Sequence, residues 1–155
     1  MEQPQYNMFH RSKLEKEYLG LFSSEGLGTT IWSPLASGIL TGKYNESIPK
    51  GSRMSLPDYK FPRDGLESKQ GAENIKKVIK LSRIADKLGI SMAQLSIAWC
   101  LKNKNVSTVI LGATTIKQLD ENIKSAEYVK MLDDKVMNSI ERILKNSPIP
   151  EPDML

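Results

Sequence analysis

A chain of 155 residues with 39% apolar and 26% charged content is ordinary soluble-domain material, long enough for about one domain with a real core. Its 22 Lys and Arg against 18 Asp and Glu leave a formal net charge of +4, a mild bias toward anionic partners such as nucleotides or phosphates, with the charges dispersed along the sequence as on a solvated surface. No basic run interleaved with aromatics marks a nucleic-acid face, no apolar stretch approaches the roughly 20 residues of a membrane span, and a single cysteine excludes a disulfide framework.

In chain order, MEQPQYNMFH (Met1 to His10) reads as the tail of an element whose beginning is absent. A helical pattern runs from Ser12 through Leu14, Tyr18, Leu21 and Phe22 and stops at Gly26 and Gly28. TTIW (Thr29 to Trp32) predicts a buried strand that breaks at Pro34 into the small residues Ala36, Ser37 and Gly38, where backbone can come close to a ligand. Residues 45–70 hold Pro49, Pro57, Pro62, Gly51 and Gly65 without periodicity and predict a long excursion loop. Ile75, Val78, Ile79, Ala85 and Leu88 then mark a helix ending at Gly89.

Ser91 and Gln94 have capping-box spacing and open a second helix through Leu95, Trp99 and Leu101. Cys100 lies in that apolar pattern and reads as core, a lone thiol suited to a reducing cytosol. VSTVIL (Val106 to Leu111) predicts the next strand, and Thr115 with Gln118 repeats the capping spacing at the start of another helix. Asp133 caps a last helix bearing Val136, Met137, Ile140, Ile143 and Leu144 on one face, and residues 147–155 form a proline-rich tail.

Strand, helical crossover, strand, helix is the grammar of a parallel α/β protein, whose ligands sit at the C-terminal ends of strands. Ser33 to Ser37 and Gly112 to Thr115 are the two junctions at such ends, and a right-handed crossover would put both on one rim. The helix start after Gly112 offers free amides that favour phosphate, Lys43 and Arg53 offer positive charge, and Gln118, Glu121 and Asn122 recur along one helical face. Each has an ordinary reading too: a tight turn for Gly112, a cap for Gln118, a solvated surface for Lys43 and Arg53.

Together, EQPQYNMF, TTIWSPLASGILTGKYNESIP with GSR behind it, QLSIAWCLKNKNVSTVILGATT and QLDENI resemble the C-terminal half of an aldo-keto reductase, in the branch that includes the β subunits of voltage-gated potassium channels. The resemblance covers nearly the whole chain. It implies one partial domain over residues 1–155, the C-terminal part of a (β/α)8 TIM barrel of aldo-keto reductase type, with the first half of the barrel absent from this chain. It also implies NADP(H) bound in an extended pose without a Rossmann fold. By the family's pattern, Gln3 would hold the nicotinamide amide, and Trp32, Ser33, Pro34, Leu35, Ala36 and Ser37 would line the cofactor's middle. Lys43 and Arg53 would meet its phosphates, and Gly112, Thr114, Gln118, Glu121 and Asn122 would meet the adenosine and 2′-phosphate end.

The family's catalytic Asp, Tyr, Lys and His come from earlier strands, so no catalytic residue is assigned; His10, the only histidine, does not match the family's. No metal site is expected. The leading expectation is the NADP(H)-binding portion of an oxidoreductase whose parent reduces carbonyls by hydride transfer. The alternatives are a regulatory cytoplasmic β subunit of a voltage-gated potassium channel with the cofactor as redox sensor, or a truncated product with no independent activity. Partners expected are NADPH, a carbonyl substrate and a potassium channel's cytoplasmic domain, with no nucleic acid and membrane contact only through a partner. An incomplete barrel would oligomerise or need its missing half.

Overall fold

The computed structural model describes residues 1–149, so most of the expected tail over 147–155 lies outside the described residues. Three chain segments run parallel. Strand β1 (Thr30–Ile31) pairs in parallel with β2 (Thr108–Val109), Thr30 opposite Thr108 and Ile31 opposite Val109. On the other side of β1 lies the N-terminal segment. There Glu2 N–H donates to the Gly28 carbonyl at 3.0 Å, Trp32 N–H to Pro4 at 3.1 Å and Tyr6 N–H to Trp32 at 3.2 Å.

Both expected strands exist and are neighbours, but the regular ladder is shorter than 29–32 and 106–111. Its last rung is Ile110 N–H donating to Ile31 at 2.9 Å, after which the chain leaves the sheet. The pleat sorts side chains onto two faces. Pro4, Tyr6, Thr29 and Ile31 turn toward the helices and are buried, whereas Gln3, Trp32, Thr108 and Ile110 are exposed.

The first helical stretch is a π-helical turn at Lys13–Glu17 followed by α1 (Leu19–Ser24), rather than one continuous helix. Residues 45–70 depart from the expected loop. They form 3₁₀ turns at Arg53–Ser55 and Pro57–Tyr59 and then α2 (Lys60–Glu67). The prolines initiate rather than break here: Pro57 opens its turn, and Pro62 sits in the first turn of α2, where a missing N–H goes unnoticed. Tyr44, Met54 and Leu66 bury a small apolar cluster of their own beneath this segment. Gly71, in the first turn of α3 (Lys69–Leu88), packs so closely on the backbone of Gly65 and Leu66 that a Cβ has no room.

Helix α3 ends at Gly89 in the left-handed conformation, φ 69°, as the sequence requires. Helix α4 (Met92–Lys102) opens with the complete Ser91 and Gln94 capping box, and every residue from Met92 to Cys100 is buried. A helix buried all round is an interior helix, and α4 packs on α3, on α5 (Ile116–Lys124) and on the 3₁₀ segment Ser125–Met131. The final helix, α6 (Asp134–Leu144), is capped by Asp133 accepting from the Val136 N–H and packs on α3 through its Ile140 and Leu144 face.

One polar cluster closes this core. Arg11 donates to both carboxylate oxygens of Glu15 and to Glu141 at 2.7 Å, and its guanidinium stacks 5.2 Å from the Trp99 ring. Tyr6 stacks on Trp99 too, 5.2 Å between centroids, and donates its hydroxyl to Glu15 at 2.7 Å. Burial works against the charge on Arg11, but its bonds to Glu15 and Glu141 outweigh that and raise its proton affinity. Burial, aided by the Glu15 charge, pushes the Tyr6 phenol well above its ordinary range.

Removing one partner of such a network leaves charges in apolar surroundings. Glu15 and Glu141 retain 20% and 31% side-chain exposure, which lowers the expected loss for Arg11→Met to about 3 kcal/mol. Urea unfolding measures it, and a loss below ~1 kcal/mol would place the cluster with ordinary surface pairs. Cys100 is fully buried and burial raises its thiol pKa far above neutrality, so the native chain should leave a thiol reagent unreacted at mildly alkaline pH and titrate one thiol only in denaturant. Fast native-state reaction would show that α4 opens readily.

Candidate functional site

Where β1 ends, the backbone turns through a run of unusual conformations. Ser33, Ala36, Ser37 and Gly38 have φ of 57°, 46°, 55° and 94°. Three of these residues carry a Cβ, for which the left-handed region is unfavourable, so the surroundings must enforce it. Asn7, completely buried, does so from the N-terminal segment: its amide donates to the Ser33 carbonyl at 2.9 Å while its oxygen accepts from the Phe9 and His10 N–H groups. From below, the buried Ser96 hydroxyl on α4 donates to the Leu40 carbonyl at 3.1 Å. Sequence reading missed both anchors, and an Asn before a turn was the one signal available for Asn7.

The loop then folds onto its own lysine. A Cβ on Gly38 would stand 2.9 Å from Lys43 Cε and 3.0 Å from Nζ, so the ammonium lies against the small-residue backbone, 5.0 Å from the Tyr44 ring centroid. The Tyr44 hydroxyl accepts from the Met54 N–H, and Arg63 donates to the Met54 and Leu56 carbonyls at 2.6 and 2.7 Å. These contacts fix the turn that carries Arg53, whose guanidinium is exposed and stands 5.2 Å from the Tyr59 ring. Arg63 was not foreseen, because the excursion was read as unstructured.

At the second junction the chain leaves β2 and enters α5, with the Thr115 hydroxyl accepting from the Gln118 N–H at 3.2 Å. Only half of the expected capping box forms. The Gln118 side-chain oxygen instead accepts from both the amide and the hydroxyl of Thr114, each at 2.9 Å. Asn122 is buried and donates to the Gly112 carbonyl at 3.4 Å, and the Glu121 carbonyl accepts from Gln94 at 3.1 Å. Gly112 has no heavy atom within 4 Å of the place a Cβ would take.

Among the residues singled out from sequence, the structure brings together four small sets. Gln3 and Trp32 line one groove of about 500 Å³, Gly38 lies beside Lys43, and hydrogen bonds join Thr114 to Gln118 and Asn122 to Gly112. Pro34 and Ala36 are buried and Leu35 half-buried, so they shape the loop from inside. The parallel register of β1 and β2 brings both junctions to the same sheet edge. His10 is exposed, its Nδ1 3.4 Å from the Asn7 oxygen, and no cluster of three metal-ligating side chains occurs among the described residues.

Comparison with known proteins identifies a family. Residues 1–145 match the family model described as the aldo/keto reductase family. A "Probable voltage-gated potassium channel subunit beta" of Arabidopsis thaliana is 47% identical over 150 residues, covering 96% of this chain and 44% of the relative. A protein of the same description from Oryza sativa subsp. japonica matches with the same identity and coverage. The chain thus spans less than half the length of these curated relatives. With the match running through the parallel segments, the left-handed loop and the α5 junction alike, the chain belongs to the aldo/keto reductase family.

Proposed function

We propose that this chain is the NADP(H)-binding, C-terminal portion of an aldo-keto reductase barrel, whose complete protein reduces carbonyl compounds. The observation that carries the reading is the strained run from Ser33 to Gly38 with the Lys43 ammonium laid against it. Strain that a buried Asn7 has to enforce is characteristic of ligand clamps. It leaves small, half-buried residues and an exposed lysine where an anionic, extended molecule can lie.

Three further features support the cofactor. Gly112 has no internal steric reason to be glycine, which suits close approach by a phosphate. The first amides of α5 point out of a capped helix start, a position that favours negative charge. Gln3 and Trp32 share the sheet face that the helices leave uncovered, and in a closed (β/α)8 barrel that face is the interior.

In this reading Gln3 holds the nicotinamide amide and Trp32 through Ser37 line the middle of the cofactor. Lys43 and Arg53 neutralise phosphate charge, and Thr114, Gln118, Glu121 and Asn122 face the adenosine end. The Thr114 and Gln118 pair would exchange its mutual hydrogen bonds for bonds to the ligand. Bound NADPH supplies hydride, while this chain's residues bind it, orient it and offset its charge. The chain itself carries no residue assigned to proton donation.

A second reading is favoured by the relatives' names: the cofactor site serves a cytoplasmic β subunit that associates with a potassium channel and reports redox state. Aldehyde turnover by the complete protein argues for metabolism, and co-purification with a channel's cytoplasmic domain argues for regulation.

Calorimetric titration tests the binding site. The unmodified chain should bind NADP, and Arg53→Ala or Gln118→Ala should weaken NADP about tenfold to a hundredfold, with a smaller loss for NAD. Equal losses for both cofactors would remove these residues from the 2′-phosphate, and no NADP binding by the unmodified chain would sink the site on this chain. In a separate assay, the 155-residue chain should oxidise NADPH with a panel of aldehydes no faster than buffer. Turnover abolished by Tyr→Phe at Tyr6, Tyr44 or Tyr59 would place a proton donor here after all.

A further inference from the structure

The +4 charge that looks dispersed along the sequence is gathered in space. Helix α3 carries six cations, Lys69, Lys76, Lys77, Lys80, Arg83 and Lys87, against Glu73 and Asp86, a net +4 equal to the formal charge of the whole chain. The remaining residues therefore balance to zero. Helical periodicity at 100° per residue sets Lys69, Lys76, Lys80, Arg83 and Lys87 within one arc of roughly 60°, along about 27 Å of axis. All five are exposed, while the opposite face, with Val78, Leu81 and Ala85, is buried against the core.

Little inside the chain neutralises the stripe. Lys76 pairs with Glu73 at 2.8 Å, and Lys77, beside the stripe, donates to the Leu144 carbonyl at 2.7 Å. Lys69, Lys80, Arg83 and Lys87 have no ion pair among the described residues. The Glu73 carboxyl titrates below its usual range, first through its bond to Lys76 and then through the charges of Lys76, Lys77 and Lys80 around it.

We propose that the outer face of α3 is a docking surface for an anionic lipid bilayer, held by charge and without insertion. The chemistry of the face selects this occupant. Folded protein partners bury an apolar, lysine-poor centre, whereas four of the five stripe cations are lysines and the helix's apolar side is already committed to the core. That commitment also rules out a partner that would grip α3 as an amphipathic helix. A membrane surface presents a continuous sheet of mobile negative charge and needs no pocket, and clusters of four to eight cations on a helix suffice for it. Direct contact of this kind would add to the expected membrane contact through a partner; spacing of three to four residues, unremarkable along the sequence, becomes a single line on a helix. This inference does not depend on the cofactor reading.

Co-sedimentation of the full chain with vesicles tests it. Binding to mixed phosphatidylserine and phosphatidylcholine vesicles is expected at low salt, weakening as ionic strength rises, with none to phosphatidylcholine alone. Replacing Lys76, Lys80, Arg83 and Lys87 by Gln should lower the affinity on the order of a thousandfold at low salt. A control with the same charge change at Lys102, Lys104, Lys130 and Lys135, all exposed, should lose only a few-fold, with circular dichroism confirming that both variants fold. Equal losses in the two variants, equal binding to neutral vesicles, or no binding would overturn the proposal. Binding to soluble polyglutamate but not to vesicles would overturn it in favour of an acidic polypeptide.

Discussion

The fold depends on the Trp99 ring, on which two distant side chains meet. Tyr6 stacks on the ring from the N-terminal segment and Arg11 approaches it as a cation, while Arg11 reaches Glu141 on the last helix, 130 positions away in the chain. Asn146 donates to the Met8 carbonyl at 2.9 Å in the same neighbourhood. The first ten residues have no helix of their own and only scattered bridges to β1, so without this cluster little would hold them in register. Buried arginine is tolerable because acceptors on three side chains and a ring face replace its water.

That register matters for the site. Asn7 lies between Tyr6, which the stack fixes, and Met8, which the core buries completely. Its amide therefore arrives at the Ser33 carbonyl at a set position and holds the left-handed turn after β1. The chain of cause runs from an aromatic stack, through a buried amide, to a strained loop bearing a lysine. Strain of about 1–3 kcal/mol per residue persists only where surrounding structure over-determines it, and here both the N-terminal segment and α4 contribute. A substitution at Asn7 would thus act on the left-handed loop from a distance.

The sheet is covered on one side only. Helices α3, α4 and α6 bury the face of Tyr6 and Ile31, and the face of Gln3, Trp32 and Ile110 has no layer over it among the described residues. Family membership makes that bare face intelligible as the inner wall of a barrel. The helical layer meanwhile turns its polar side outward, and on α3 that side is a line of cations with Glu73 beside it. The proposed cofactor site and the proposed membrane face thus lie on different parts of one architecture, the first at the strand ends and the second on the outer helix.

Local chemistry made much of this legible in the sequence. Gly89 stops α3 because only a residue free of Cβ strain sits easily at φ 69°, and the Ser91 and Gln94 box and the Asp133 cap satisfy helix-start amides three residues ahead, so spacing alone identifies them. Parallel pairing of the two strands followed from the helical crossover between them. The left-handed turn was signalled only as small residues after a proline, and its carbonyl anchor, Asn7, lies 26 positions away, where no local rule reaches. Prolines in the excursion were read as breakers, but whether a proline breaks or begins a helix depends on the burial of Met54 and Leu66 around it. Gln118 had two hydrogen-bond partners within reach, the Thr115 and Thr114 amides, and the bend before α5 chose the second. The sequence by itself determined caps, stops and strand direction, since these are short-range satisfactions of backbone groups. Only the tertiary structure decided which residues are strained, which face of the sheet stays open and where the charge accumulates, because each is a sum over contacts distant in the chain.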